Sequence, residues 1–248
     1  MTAKKIYFAS DFHLGAPTFE KSREREDKIV KWLEMAEKDA EEIFLVGDLF
    51  DFWFEYKYTI PKGFTRFLGK LASICDKGIK VNVFTGNHDM WMYDYLEKEI
   101  GVTMHRKPIL RTFSGKQFLI GHGDGLGPGD YKYKFLKKFF ASSICQWLFA
   151  RIHPNFAFGM ANYFSKSSRA TTGKKDDVFK GEENEWLLIY CKEYIKKQPV
   201  DYFVFGHRHL PLKLKVNDHS VYFNLGEWLN YTTYAEFDHQ NLELKRFI

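Results

Sequence analysis

Short apolar runs recur along the chain, and five of them end at a glycine or at an acidic, amide or histidine residue. The runs are Ile6–Ser10, Glu42–Val46, Lys80–Thr85, Gln117–Ile120 and Asp201–Phe205. Runs of this length, bounded by turn-forming residues, predict buried β-strands. The sequence therefore predicts strands that each deliver polar side chains to the rim of a sheet.

Stretches with a helical period separate several of these strands. They are Glu20–Asp39, Gly63–Lys77, Tyr93–Glu99 and Glu182–Lys197. Alternating segments then predict hairpins near the carboxyl terminus, where Lys213–Val216, Val221–Leu225, Tyr234–Phe237 and Leu242–Phe247 are separated by turn residues. We expect an α/β fold in a single domain of residues 1–248, with the C-terminal hairpins completing a second sheet.

Residues 131–175 break this pattern, because aromatic side chains there interleave with lysines and arginines and no strand is predicted. We expect two or three helices that form an insertion, or lid. Two interpretations stay open with equal weight. The helices are either an ordinary amphipathic pair packed on the core, or a basic, apolar cap that meets a lipid or a membrane surface.

Composition narrows the class of protein. An apolar fraction of 45% excludes a disordered chain, and a net charge of +5 mildly favours an anionic partner such as phosphate, nucleic acid or an acidic membrane face. The three cysteines form no CxxC spacing, which favours reduced thiols. The start of the chain has no signal-peptide core, and the apolar run Phe139–Ile152 is too short to span a bilayer. We expect a cytoplasmic protein.

The strand ends carry the candidate chemistry. In chain order they have the patterns D-x-H, G-D-x-x-D, G-N-H-D, G-H-G-D and G-H-x-H, beginning at Asp11, Gly47, Gly86, Gly121 and Gly206. One such match is weak, since Gly-Asp after a strand is often only a turn. Five in order favour a shared site, and carboxylate, imidazole and amide ligands without thiolate suit Mn²⁺, Fe or Zn²⁺ rather than a structural zinc.

This ordered set of motifs resembles the calcineurin-like metallophosphoesterases over nearly the whole chain. The resemblance implies a four-layer αββα sandwich of two mixed sheets and two divalent metal ions. It implies that one ion is bound by Asp11, His13 and His209, the other by Asn87, His122 and His207, and both by Asp48. A metal-bound hydroxide would attack phosphorus, while His88 with Asp51 would contact phosphate or protonate the leaving group.

Within that superfamily the chain resembles the UDP-2,3-diacylglucosamine pyrophosphatases. The resemblance rests on residues 10–15, residues 47–53, residues 122–124 followed by Asp130, and the helical insertion. It implies hydrolysis of UDP-2,3-diacylglucosamine to UMP and 2,3-diacylglucosamine 1-phosphate with two Mn²⁺ ions. It also implies a lipid-linked nucleotide as partner and a peripheral location at the cytoplasmic face of the inner membrane.

The resemblance implies a set of substrate contacts. They are Asn87, His88, Asp130, Ser165, Arg169, Lys174 and His207. In one respect the chain departs from the best-known members of that family, which have arginine after the metal-binding asparagine where this chain has His88. A divergent branch with the same reaction and a sister activity on another nucleotide diphosphate both stay open.

Three other functions stay open from the sequence. A phosphodiesterase or phosphatase acting on a soluble nucleotide fits the same motifs. A nuclease fits less well, because the basic residues gather in one insertion rather than along a groove, so we expect no nucleic-acid partner. A non-catalytic scaffold of the same fold is disfavoured, since a competent residue fills every ligand position.

Overall fold

The computed structural model describes residues 4–129, 131–161, 163 and 178–248. In these residues eleven strands form two sheets. The strands are β1 (Lys5–Ala9), β2 (Ala40–Val46), β3 (Lys80–Phe84), β4 (Thr103–His105), β5 (Ile109–Phe113), β6 (Lys116–Gly121), β7 (Tyr202–Phe205), β8 (Pro211–Lys215), β9 (Val221–Leu225), β10 (Thr233–Phe237) and β11 (Leu242–Arg246).

Five α-helices accompany the strands in the described part of the chain. They are α1 (Phe19–Ala36), α2 (Thr65–Asp76), α3 (Tyr131–Phe140), α4 (Ser143–Phe149) and α5 (Trp186–Tyr194). Residues 154–161 are also helical. Two shorter elements are a π-helix at Leu96–Ile100 and a 3₁₀ turn at Glu182–Asn184. Among the described helices, none combines the length and the apolar character that crossing a membrane requires.

Both sheets are mixed. The first has the order β11-β10-β1-β2-β3-β4. In this sheet β1 to β4 run parallel, and β10 runs antiparallel to both of its neighbours, β1 and β11. The second has the order β5-β6-β7-β9-β8, with a parallel centre and antiparallel edges. The expectation that both C-terminal hairpins complete the second sheet is wrong for one of them. β8 and β9 join it, but β10 pairs with β1, with Ile6 opposite Phe237, because their apolar side chains face the space between the sheets.

Aromatic side chains fill the space between the two sheets. Phe8 of β1 stacks on Phe44 of the same sheet at 5.2 Å between ring centroids and on Phe118 of the facing sheet at 6.0 Å. On the outer faces, α1 and α2 cover the first sheet and α5 covers the second. The predicted α/β fold, a four-layer αββα sandwich of two mixed sheets, is confirmed.

Two predicted helices differ in detail. The stretch predicted over Tyr93–Glu99 forms a single π-helical turn ending at Gly101, whose left-handed backbone closes it. The helix predicted from Glu182 begins only at Trp186, since Glu185 has an extended backbone. The side chain of Glu185 instead forms an ion pair with Arg208 at 3.2 Å.

Candidate metal centre

The five strand-end motifs meet at one place. β1, β2 and β3 run parallel, as do β6 and β7, so the segments after their carboxyl ends lie at one rim of the sandwich. Such rims are where open α/β sheets place their ligands. The polar side chains form three overlapping groups, and within each group the potential ligand atoms lie within 4.8 Å of one another. Two of the groups share Asp48, and the third contains His13, Asp51 and His88.

The first group contains Asp11, His13, Asp48 and His209. Nε2 of His209 lies 3.1 Å from Nε2 of His13 and 3.2 Å from Oδ1 of Asp11. Nε2 of His13 lies 4.0 Å from Oδ2 of Asp48. Two imidazoles and two carboxylates thus face a common point.

The second group contains Asp48, His122 and His207. Nε2 of His122 lies 3.3 Å from Oδ2 of Asp48 and 3.3 Å from Oδ1 of Asn87. Asn87 therefore joins this group through its amide oxygen. Asp48 belongs to both groups, as a bridging ligand must.

The donor set fits a pair of divalent cations. Asp48 Oδ2 is buried and accepts no hydrogen bond from any described residue. A buried carboxylate oxygen without a donor is costly, and a cation in each group would compensate it. Imidazole, carboxylate and amide groups without thiolate are the ligands that first-row divalent metals take.

The electrostatics of the second group set the protonation states of its members. Burial opposes protonation of His122, but the negative charge of Asp48 raises the pKa of His122 to about 10, so this imidazole must lose a proton to bind a metal. Burial opposes ionisation of Asp48, but the neighbouring charges of His122, His88 and His13 hold the pKa of its carboxyl well below the usual value. Burial and the charge of His122 lower the pKa of His207 to about 4. Asp48 is therefore an anion and His207 a neutral imidazole at pH 7, the protonation states that bind metal.

Backbone groups orient these side chains. Nδ1 of His122 lies 2.8 Å from the carbonyl oxygen of Val46, an arrangement in which Nδ1–H donates and Nε2 is left to face Asp48. Oδ1 of Asp48 accepts the backbone N–H of His88 at 2.9 Å. The carboxylate of Asp11 accepts the backbone N–H of His207 at 3.0 Å.

The backbone itself is held in a rare conformation here. The left-handed region contains Asp11, His13, Asp48, His207 and His209, with φ between 44° and 66°. Non-glycine residues seldom adopt it, and clusters of them mark functional sites. Glycines then permit close approach, since a Cβ on Gly206 would lie 2.5 Å from Oδ2 of Asp11.

The predicted pair of His88 and Asp51 also lies beside the first group. Nδ1 of His88 lies 3.0 Å from the carbonyl oxygen of Asp51 and 3.8 Å from its carboxylate. The same carboxylate lies 3.8 Å from Nδ1 of His13. The structure thus places the predicted acid and its partner at the edge of the candidate metal site.

Asp89 is a site residue for which the sequence motifs predicted no role. It is fully buried, and its carboxylate accepts backbone N–H groups from Leu49, Phe50 and Gly86. Burial and the negative charge of Asp48 raise the pKa of Asp89 to about 7. It joins the loops that carry Asp48 and Asn87, and its place at the end of G-N-H-D was the available signal.

A second missed contact joins the lid to the site. Asp124 accepts a hydrogen bond from the hydroxyl of Tyr133 at 3.0 Å and forms an ion pair with Lys137 at 2.6 Å. Burial opposes its ionisation, but the charges of His122 and Lys137 lower its pKa. The ring of Tyr133 lies 6.2 Å from that of His207, so α3 sits against the second group.

Aromatic residues after Asp48 support the lid from below. Phe149 of α4 lies 4.7 Å from Phe54, 4.7 Å from Trp91 and 6.0 Å from Phe52, measured between ring centroids. These aromatic rings form the surface against which α4 packs. The predicted contacts Asp130, Ser165, Arg169 and Lys174 lie outside the described residues.

A two-sheet α/β sandwich with aspartates, histidines and an asparagine converging at its strand ends is the architecture of metal-dependent phosphoesterases. The family model for the calcineurin-like phosphoesterases matches residues 4–211, so the chain belongs to the calcineurin-like phosphoesterase family. The resemblance drawn from the motifs is confirmed, and the chain is a hydrolase of that family.

Curated relatives extend the comparison. The chain is 38% identical to a UDP-2,3-diacylglucosamine hydrolase of Porphyromonas gingivalis over 97% of both chains. It is 24% identical to a protein of the same name from Pseudomonas fluorescens, over 98% of this chain and 94% of the relative. Among solved structures, a dimetal phosphatase from Danio rerio is similar with a TM-score of 0.44 and 10% identity, covering 99% of both chains.

Proposed function

We propose that this chain hydrolyses the pyrophosphate of UDP-2,3-diacylglucosamine to UMP and 2,3-diacylglucosamine 1-phosphate with two Mn²⁺ ions. The observation that carries the proposal is a buried carboxylate, Asp48, that belongs to two histidine-containing groups beneath a basic, aromatic lid. The 38% identity to a relative of that name over 97% of both chains supports the choice of substrate.

The metal ligands in this proposal are those at the strand ends. Asp11, His13 and His209 would hold one cation, Asn87, His122 and His207 would hold the other, and Asp48 would be a ligand of both. When bound, the two cations supply Lewis-acid activation of water and neutralise charge on the diphosphate. The protein fixes the ligands through buried backbone hydrogen bonds to His122, Asp48 and Asp11.

His88 supplies the proton for the leaving group. The protonated ring donates its Nδ1–H to the carbonyl oxygen of Asp51, 3.0 Å away, and carries a second proton at Nε2. Delivery of that proton to the departing phosphate oxygen neutralises the negative charge that builds on it as the P–O bond breaks. Asp51 positions the ring and, through its carboxylate 3.8 Å away, stabilises the imidazolium.

The other predicted contacts bind the rest of the substrate. Asn87, His88 and His207 contact the diphosphate, and Asp130, Ser165, Arg169 and Lys174 supply further substrate contacts. The described part of the lid lies close to the diphosphate-binding groups. Tyr133 and Lys137 already hold α3 against Asp124 beside His207, so the lid covers the second group.

The outer surface of the lid supports a peripheral location at the cytoplasmic face of the inner membrane. Phe135 is 70% exposed, Ile144 is 72% exposed and Trp147 is 56% exposed. The guanidinium of Arg151 lies over the ring of Trp147 at 4.3 Å. Protein surfaces that bind anionic lipid headgroups typically combine exposed apolar side chains with nearby cations.

A direct assay tests the proposal. The Mn²⁺-loaded protein is incubated with UDP-2,3-diacylglucosamine in mixed micelles, and UMP release is followed, with Asp48→Asn as the control. We expect metal-dependent UMP release by the parent chain and none by the variant. No turnover of this lipid, together with turnover of water-soluble nucleotide diesters, would instead support a phosphodiesterase with a soluble substrate.

A further inference from the structure

A groove of about 770 Å³ opens beside the candidate metal centre, and no residue of α3 lines it. Its inner end is formed by Leu14, Gly15 and Asp51. Residues 59–66, the start of α1 and the helical segment 154–161 of the lid form its walls. A volume of this size matches the pockets that bind small ligands.

The groove begins at the first group of metal ligands. Gly15 follows His13 by two residues, and the carboxylate of Asp51 lies 3.8 Å from Nδ1 of His13. Tyr133 of α3, whose hydroxyl donates to Asp124, lies instead against His207 in the second group. The site therefore has two distinct sides, one under α3 and one that leads into this groove.

The lining of the groove combines aromatic rings with cations. Phe19 at the start of α1 is 76% exposed and contributes an accessible ring, and Phe64 and Phe158 are partly exposed. Lys62 and Arg66 are exposed at its wall, and neither forms an ion pair with a described residue. Rings that can pack on a base and cations that can face a phosphate suit a nucleotide better than an acyl chain.

We propose that this groove binds the nucleoside monophosphate half of the substrate, with the diacyl sugar half on the opposite side under α3. The inference rests on the proposed function, which supplies a substrate with two unlike halves around one diphosphate. The pyrimidine packs against Phe19, and Lys62 and Arg66 attract the phosphate of the UMP product. Hydrolysis then leaves UMP in the groove and the acylated sugar phosphate under the lid.

Binding of UMP to the Mn²⁺-loaded full chain tests the assignment by calorimetry. The double variant Lys62→Ala/Arg66→Ala removes both cations. The matched control Lys28→Ala/Lys31→Ala removes two exposed cations of α1 that do not line the groove. We expect the dissociation constant of UMP to rise about tenfold in the groove variant and less than about twofold in the control.

Phe19→Ala gives an independent test, since an exposed side chain can be truncated without loss of the fold. We expect this variant to bind UMP several-fold more weakly than the parent chain does, while its affinity for inorganic phosphate stays within about twofold of the parent value. Unchanged UMP affinity in both groove variants, or equal losses in the control pair, would overturn the assignment. So would a rise in KM for the diacyl substrate without any change in UMP affinity, which would place an acyl chain there.

The two proposals fail in different ways. If the chain does not hydrolyse UDP-2,3-diacylglucosamine but UMP binding depends on Lys62, Arg66 and Phe19, the groove is a nucleotide site and the proposed substrate is wrong. If the chain hydrolyses the lipid nucleotide but the substitutions of these residues leave the dissociation constant of UMP unchanged, the proposed function stands and the groove assignment is overturned.

Discussion

The Nε2 atoms of His13 and His209 lie 3.1 Å apart, although 196 positions separate the two residues in the chain. Two imidazole nitrogens at this distance either share a proton or face the same cation. Oδ1 of Asp11 lies 3.2 Å from Nε2 of His209 and 3.8 Å from Nε2 of His13, so a carboxylate completes the arrangement. A metal ligated by all three residues accounts for the geometry.

The number of metal ions bound per chain should distinguish a ligand of one group from a ligand of both. We expect His209→Ala to lose about one of two bound ions per chain, because only the first group loses a ligand, and Asp48→Asn to lose both, because it bridges. Metal analysis after gel filtration measures this directly. A matched control is His219→Ala, which removes an exposed histidine outside both groups. Two ions bound to Asp48→Asn would contradict the bridging role.

His88 should matter most when the leaving group is poor. Loss of its proton donation in His88→Ala should slow an alkyl phosphodiester by about 10² to 10⁴-fold, while a nitrophenyl leaving group needs little protonation. The measurement is the ratio of kcat values for the two substrates in parent and variant. Equal losses on both substrates would assign His88 to phosphate binding instead. His105→Ala, whose side chain contacts Asn82 away from the site, serves as the control.

Gly47 should be irreplaceable for two reasons that can be separated. Its φ is 86°, and a Cβ there would lie 2.5 Å from Nδ1 of His122. Gly115 has a similar φ of 78° but open space around its Cα. Gly115→Ala should therefore cost only backbone strain of about 1 kcal/mol, whereas Gly47→Ala should cost more and also weaken metal binding by about 10 to 100-fold.

Urea denaturation and metal titration of the two glycine variants check this expectation. Equal destabilisation in both variants, with unchanged metal affinity in Gly47→Ala, would show that His122 moves aside without consequence. Such a result would remove the steric argument for the glycine before Asp48.

The sequence predicted the strands and the residues at their ends because both are local signals. An apolar run followed by Asp48 or His122 predicts a buried strand and its polar end without knowledge of partners. The same logic could not place β10 and β11, since strand pairing depends on which apolar face meets which sheet. It also could not predict that Glu185 lies before the start of the helix, where its side chain forms an ion pair with Arg208.

The missed site residues share a physical reason. Tyr133 and Lys137 reach Asp124 only once α3 is folded against the second group, and such contacts between elements leave no periodic pattern in the chain. Asp89 binds three backbone N–H groups whose positions exist only in the folded loops. The motif placed Asp89 near the site, but its hydrogen bonds required the structure.

Arg208 should hold the loop between two metal ligands. It is buried between His207 and His209, forms an ion pair with buried Glu185 at 3.2 Å and donates to the carbonyl oxygen of Val178 at 2.9 Å. Truncation in Arg208→Ala removes the guanidinium that pairs with this buried carboxylate. We expect a loss of about 3 to 5 kcal/mol in the free energy of unfolding.

A double-variant cycle tests that explanation. The single variants Arg208→Met and Glu185→Gln each remove one charge of the pair, and we expect both to be destabilised. Their combination removes both charges, so we expect it to recover much of the stability that each single variant loses. Urea unfolding gives the free energies, and metal content reports the loop. If the losses in the free energy of unfolding were additive, the two side chains would act independently. The ion pair would then not be what holds the loop between His207 and His209.

The lid surface should bind anionic membranes through apolar side chains that the fold leaves outside. Phe135→Ser combined with Ile144→Ser removes two side chains that are 70% and 72% exposed, so folding should be little affected. We expect at least about a tenfold loss of partitioning into vesicles that contain anionic phospholipid, measured by co-sedimentation. Tyr58→Ser, at 88% exposure but outside the lid, is the control and should bind as the parent chain does. Equal binding by the lid variant and the parent would mean that this surface faces water.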